Sequence, residues 1–235
     1  MTAAPQIDAR DTVDRLLEAA EIEFAVAGFE AARLEDIAAA VGVRRASLLY
    51  HFESKQALYD RVLERAFSDL QNTLLGAIGL PTTSYADRLD ELVNRAVDTF
   101  HERPSFAQLL LRDGIDNRAE RATLAAEHAR RYVAPLLSIG EAFFRSGQET
   151  GEFRKGLEPR DVLMFFASAV MFHAASCDAQ REVFWGESRG RGRGLAAYRS
   201  SMRAMVRAMA LADSSLTQRP RPAPARRATH DRRPR

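Results

Sequence analysis

Apolar positions recur at three- and four-residue steps along most of the chain, and β-branched residues nowhere alternate over a useful length. That periodicity belongs to helices packed by one face, so the pattern predicts an all-α fold. Val13, Leu16, Leu17, Ala20 and Phe24 share one face of a first helix over 11–27, with Asp11 placed to cap its start and Gly28 its end. Two short helices follow at 34–40 and 44–50. A longer one starts after Ser54, a good N-cap, and reaches the mid-seventies, where Gly79-Leu80-Pro81 ends it and marks a boundary.

A second helical block lies beyond that boundary. Segments 84–101 and 105–112 are split by Pro104, and a long pattern from Asn117 to Ser146 contains Pro135, which predicts a kink or break. Residues 147–159 read as a loop. The next segment, 160–176, is apolar almost all round and is expected to be buried on most sides. Residues 186–194 (GESRGRGRG) read as a linker. In a last helix over 195–212, Leu195, Tyr198, Met202, Met205 and Met209 alternate three- and four-residue steps, the spacing of a helix-pairing seam. From Ser214 onward the chain is rich in Pro and Arg without periodicity and is expected to be disordered. The expected organisation is therefore a first helical unit (1–53), a connecting helix (54–80), a second helical block (81–213) and a tail (214–235).

Charge sharpens this picture. The chain carries 34 Lys+Arg and 32 Asp+Glu, but seven Arg and only one acid fall within 214–235. The remaining body has 27 basic against 31 acidic residues, a mildly acidic balance. A broadly basic architectural DNA protein is thereby disfavoured, and any DNA-binding surface must be a local patch. The tail either adds sequence-independent affinity for phosphates or is inert. The single cysteine, Cys177, excludes an internal disulfide framework. No apolar run is long enough for a bilayer, and the first residues lack the basic and apolar regions of a secretory signal, so a cytoplasmic location is expected.

The most informative stretch is Arg33–Lys55, RLEDIAAAVGVRRASLLYHFESK. Ala38 is small enough for two helices to cross closely, and Gly42 suits a left-handed helix end. Val43, Leu48 and Ile37 point back into a core and hold the second helix at a set angle. That helix then presents Arg44, Arg45, Ser47 and Tyr50 outward, where they can enter a major groove. Arg suits bidentate contact with guanine or phosphate, and hydroxyls suit phosphate oxygens. Lys55, at a helix start, is placed to clamp a phosphate together with free backbone N–H groups. His51 either meets a phosphate or packs beside Phe52.

With Ala27-Gly28-Phe29, Glu35-Asp36-Ile37-Ala38, Val41-Gly42-Val43, Leu48, His51-Phe52 and Ser54-Lys55-Gln56-Ala57-Leu58, the chain resembles the TetR family of bacterial transcriptional regulators over residues 10–60. The family usually has Thr where Arg33 stands; Arg33 cannot cap the helix that follows but can still reach a phosphate. The family also usually has Tyr where Leu49 stands, which leaves Tyr50 as the tyrosine expected at the DNA backbone. The resemblance implies about nine helices, three of them in a helix-turn-helix DNA-binding domain (1–53) and the rest in a ligand-binding and dimerisation domain (81–213). It implies a homodimer on a pseudo-palindromic operator in double-stranded DNA, and release by a small-molecule effector, so that repression is the expected mode. Such an effector must prefer the state that does not bind DNA.

In the second block, Phe106, Leu110, Arg112, Phe143, Phe144, Phe166 and His173 are the candidates for an apolar or aromatic effector site, although ordinary core accounts for most large apolar side chains. Phe165, Phe172, Leu195, Tyr198, Met202, Met205 and Met209 are the candidates for the dimer seam, the alternative being that helix 160–176 and the stripe on 195–212 form the interior core of a monomer. His173 and Cys177 share a helix face by spacing, but two ligands do not make a zinc site, and Cys177 is expected to be a small buried residue. No nucleophile-elbow, P-loop, dinucleotide or HExxH pattern occurs, and the five His are scattered at 51, 101, 128, 173 and 230. No catalytic residue, metal ligand set or cofactor is therefore expected.

Overall fold

A computed structural model describes residues 9–81, 84–115, 119–186 and 191–212, and the tail from Ser214 lies outside the described residues. Eleven α-helices run in order: α1 (Ala9–Ala31), α2 (Leu34–Val41), α3 (Arg45–His51), α4 (Lys55–Ile78), α5 (Tyr85–Glu102), α6 (Pro104–Ile115), α7 (Ala119–His128), α8 (Ala134–Thr150), α9 (Pro159–Ala175), α10 (Asp178–Trp185) and α11 (Arg191–Ala210). A π-helical turn, Ala129–Val133, joins α7 to α8, so the described residues form ten continuous rods. That count is close to the expected nine.

Helices α1 to α3 close around Leu16, Ala20, Phe24, Ile37, Ala38 and Leu48, all essentially inaccessible to solvent. Gly42 adopts φ 79°, ψ 24°, and the carbonyls of Ala38 and Ala39 accept from the N–H groups of Val43 and Gly42 at 3.0 Å each. This double bond closes α2 and turns the chain into α3. Gly28 departs from expectation. It does not end α1 but bends it, at φ 80°, ψ 166°, and one more turn follows to Ala31.

Helix α4 leaves this unit with its first turn capped by Ser54, whose Oγ accepts from the Ala57 N–H at 3.0 Å. Tyr59 of α4 packs edge-on against Phe24 (5.0 Å) and Phe29 (5.2 Å), which ties the connecting helix to α1. Helix α5 runs back towards α1, its start held by Glu152, whose carboxylate accepts from the Tyr85 N–H at 2.9 Å. Helix α11 lies along α5, pinned at one end by Arg207–Asp90 (2.6 Å) and at the other by Arg199–Asp98.

Several expectations in the second block are corrected. Pro135 does not break the helix. The backbone widens to a π-turn just before it, and the Ala134 N–H reaches back five residues to the Ala129 carbonyl. A proline at the next position needs no such bond, and the wider turn accommodates its ring. Helix α8 continues to Thr150, so Gly147 is helical. A Cβ there would come within 2.3 Å of the Phe153 ring, and the glycine is what admits that buried ring. Phe153 pairs with Leu211 in an isolated antiparallel bridge that fastens the end of the α11 segment. Helix α10, between 178 and 185, was not expected, and none of its residues is buried. Helix α9 is less buried than its composition suggested: Met164, Phe165 and Phe172 are each more than 40% exposed.

Candidate nucleic-acid interface and its link to the C-terminal helices

The outward side of α3 is the candidate DNA surface. Arg33 is the N-cap residue of α2 with no side-chain capping bond, and Arg44 holds the same position on α3, so both guanidinium groups extend from helix starts. Arg45 opens α3 and pairs with Glu35 of α2 at 3.0 Å, with both side chains more than half exposed. Ser47 is half-buried on the inner edge of this face. Tyr50 is 86% exposed. His51 is half-buried and lies between Tyr50 (5.2 Å) and Phe52 (6.5 Å). The buried Leu48 anchors the helix beneath them.

Lys55 is placed otherwise than expected. Its ammonium donates to the Glu30 carbonyl at 2.9 Å and lies 4.9 Å from the centre of the Phe29 ring. It therefore ties α4 to the end of α1, and only its remaining donors can face a phosphate. Leu49, considered from sequence only as a departure from the family, is 38% exposed beside Tyr50 and adds an apolar contact to the same face.

The seven candidates for an effector site are not gathered at one place. Phe106 stacks with Phe100 (5.5 Å) and meets Phe67 edge-on (5.7 Å), with Leu110 half-buried nearby on α6. Phe143 and Phe144 pack with Tyr85 and Phe153 in a second cluster. His173 belongs to a third. Its Nδ1 lies 2.7 Å from Nε2 of His101, whose own Nδ1 donates to the Val97 carbonyl at 2.7 Å, and its ring stacks on Tyr198 at 3.6 Å. Phe166 is buried on α9. Arg112 points out of the C-terminal helices altogether: it donates to the Val26 carbonyl of α1 at 3.2 Å and lies against Gly28.

The seam candidates also divide. Tyr198 and Met202 are buried within the protomer, and Leu195 and Met209 are half-buried against the same core. These four face inward, because α11 must cover α5 and α9 before any partner does. Phe165, Phe172 and Met205 remain exposed. Cys177 is exposed rather than buried, as the N-cap residue of α10, and so shares no buried face with His173. Among the described residues no group of three or more His, Cys, Asp or Glu side chains gathers as a metal site would require.

The profile described as "Bacterial regulatory proteins, tetR family" matches residues 16–62, and "Tetracyclin repressor-like, C-terminal domain" matches residues 86–209, more than half of the chain. The chain belongs to the TetR family. Among its curated relatives is the HTH-type transcriptional repressor SCO4008 of Streptomyces coelicolor, 26% identical over 161 residues, which cover 68% of this chain and 77% of that one. Two solved structures share the fold. The transcriptional regulator SCO4942 of Streptomyces coelicolor is 24% identical with a TM-score of 0.62, over 85% of this chain and 98% of that one. FadR of Bacillus subtilis, in complex with stearoyl-CoA, is 14% identical with a TM-score of 0.65, over 83% and 98%. No described helix is long and apolar enough to cross a membrane.

Within this TetR-family chain, one polar cluster escaped the sequence reading. Glu21 of α1 is only 5% exposed. It accepts from Arg103, at the α5–α6 corner, and from Ser105 Oγ at 2.7 Å, while Arg103 also reaches Asp69 of α4 at 2.8 Å. Burial works against the Arg103 charge, but the Glu21 and Asp69 carboxylates outweigh it and hold the guanidinium pKa above its ordinary value. The signal was present: Glu21 stands four residues after Leu17 and three before Phe24, on the buried face of α1.

Proposed function

We propose that this TetR-family regulator is a repressor that binds a pseudo-palindromic operator as a homodimer and leaves it when a small apolar or aromatic effector occupies the C-terminal helices. The observation that carries this reading is the outward side of α3, where Arg44, Arg45, Leu49 and Tyr50 project together from a helix anchored by Leu48. Arg44 and Arg45 read guanine edges or phosphates, Leu49 meets a thymine methyl, and Tyr50, Ser47 and Arg33 contact the backbone. His51 and Lys55 flank that contact.

Dimerisation is assigned to α9 and α11. The exposed side of α9 carries Met164, Phe165, Ser168 and Phe172, and that of α11 carries Ala196, Ala197, Ser200, Ser201, Ala204, Met205 and Ala208. Small residues on one helix let the bulky ones of a partner approach closely, and an exposed apolar face of this kind needs cover. The effector reading rests on the aromatic content of the second block and on the stearoyl-CoA bound by the distantly similar FadR. Its route to DNA is assigned to α6, which reaches α1 through Ser105 and Arg112. The regulator acts in the cytoplasm and has no catalytic role.

Fluorescence anisotropy with DNA flanking its own gene, in excess random competitor, tests the reading on the full chain and on the chain lacking 214–235. Specific binding that survives both challenges assigns recognition to residues 33–55. Binding erased by competitor, or lost with the tail, overturns it.

A further inference from the structure

Helices α1 and α2 leave a cleft of about 360 Å³ between them, lined by Arg15, Glu18, Ala19, Ile22, Glu23, Asp36, Ile37, Ala40 and Val41. Its charge is lopsided: three carboxylates face one guanidinium, and Arg15 already donates to the Val41 carbonyl at 3.0 Å. Glu18 is engaged by Arg65, whereas Glu23 and Asp36 make no ion pair or hydrogen bond among the described residues. The floor is aliphatic. Ile22 is 57% exposed and Val26, one turn further along α1, is 67% exposed, in a helix otherwise well packed. The cleft uses none of the side chains proposed for DNA.

The geometry points to the chain's own Arg/Pro segment, residues 214–235, as the occupant of this cleft. Charge complementarity is the first reason, since that segment carries seven Arg and one Asp while the rest of the chain is net acidic. Its composition fits the cleft in a second way. In Arg219-Pro220-Arg221-Pro222-Ala223-Pro224, apolar rings alternate with guanidinium groups, matching an aliphatic floor with a carboxylate rim. Reach is the third reason. The described chain ends at Ala212, whose N–H donates to the Glu152 carbonyl, and Glu152 holds the start of α5. From there α5 runs about 27 Å to its other end, where Arg103 meets Glu21 on α1, and the cleft lies about one helix diameter, 10 Å, beyond. Residues 213–235 span up to about 75 Å when extended. Docked there, the arginines lie against the DNA-binding unit of the free protein instead of trailing from the far end of the C-terminal helices.

Limited trypsin digestion of the full chain tests this, with cleavage after Arg226 and Arg227 followed by mass spectrometry. The docked segment is cut only when it opens, so neutralising the two free carboxylates (Glu23→Gln with Asp36→Asn) should speed tail cleavage about tenfold at about 0.1 M salt. Raising salt to about 1 M shortens the screening length from about 10 to about 3 Å and should bring the unaltered protein to the same fast rate. Both substitutions are close to isosteric and lie at the surface, and circular dichroism checks that the fold is kept. A control pair, Glu127→Gln with Glu149→Gln, removes equal charge elsewhere on the exposed surface. Equal acceleration by the control pair means diffuse attraction to an acidic body and overturns the docking site. Equal cleavage in all three proteins at about 0.1 M salt leaves the cleft to a separate basic partner and overturns it too.

Discussion

The α1–α3 unit and the C-terminal helices are both helical and both well packed, yet they carry information differently. In α1–α3 a run of about twenty residues contains both the scaffold and the surface that uses it. Ala38, Gly42 and Leu48 set the crossing, and the residues between and after them face outward. In α4–α11 the surfaces that matter are assembled from residues far apart in the chain. Asp90 meets Arg207 across 117 positions, and Asp98 meets Arg199 across 101. Local motifs can be read because their neighbours are fixed by helix geometry. Long-range clusters are decided by how whole helices stack.

The sharpest way to break this contrast is at the buried carboxylate that joins the two regions. Arg103→Met leaves Glu21 buried without its cation, and about 3–5 kcal/mol of stability should be lost, measured by urea unfolding. Adding Glu21→Leu should restore most of it, because the uncompensated charge rather than the missing bond causes the loss. A double variant no more stable than Arg103→Met would make the cluster a packing feature.

Met205→Asp comes next. It places a carboxylate on the exposed face of α11, and light scattering should show monomers at concentrations where the unaltered chain is dimeric. The burial of an unpaired charge in each protomer makes about 3 kcal/mol a reasonable loss of association energy. Tyr198→Phe is its counterpart within the protomer. It removes the hydroxyl that donates to the Ala169 carbonyl at 2.9 Å and should lower stability by about 1 kcal/mol without changing the oligomer.

On the DNA side, Arg45→Ala should weaken specific operator binding by about 1–3 kcal/mol in anisotropy titrations and leave the melting temperature nearly unchanged. Normal operator affinity would move recognition off α3. The smallest effect concerns stability alone. Gly42→Ala meets no atom within 4 Å, but its φ of 79° should cost about 1 kcal/mol by thermal unfolding.

The legible part of the site was therefore the part built from one segment. Arg44, Arg45 and Tyr50 are exposed on α3 as the spacing demanded, and Arg33 lacks a capping bond as its side chain requires. For Lys55, helix spacing shows that it stands at the start of α4 but not that the α1 terminus arrives beside it. The apolar stripe on α11 was open to two readings, interior core and dimer seam, and its residues divide between inside and outside. Tyr198 and Met202 find α5 and α9 within their own protomer, while Met205, one step along the same stripe, does not. Arg112 was grouped with the aromatic residues by proximity in sequence, yet it reaches across to Val26.

Periodicity, small residues at crossings and turn chemistry determined that this chain is helical, that it begins with a helix-turn-helix, and which face of α3 looks outward. Each of those features is set by bonds and contacts within about one to three helical turns. Which buried carboxylate finds a partner, which apolar stripe is interior and which is left exposed, and where the cleft between α1 and α2 gathers its carboxylates were decided only by tertiary packing. A side chain's neighbours across a helix interface depend on the crossing of two whole elements, and no spacing along either one specifies that crossing.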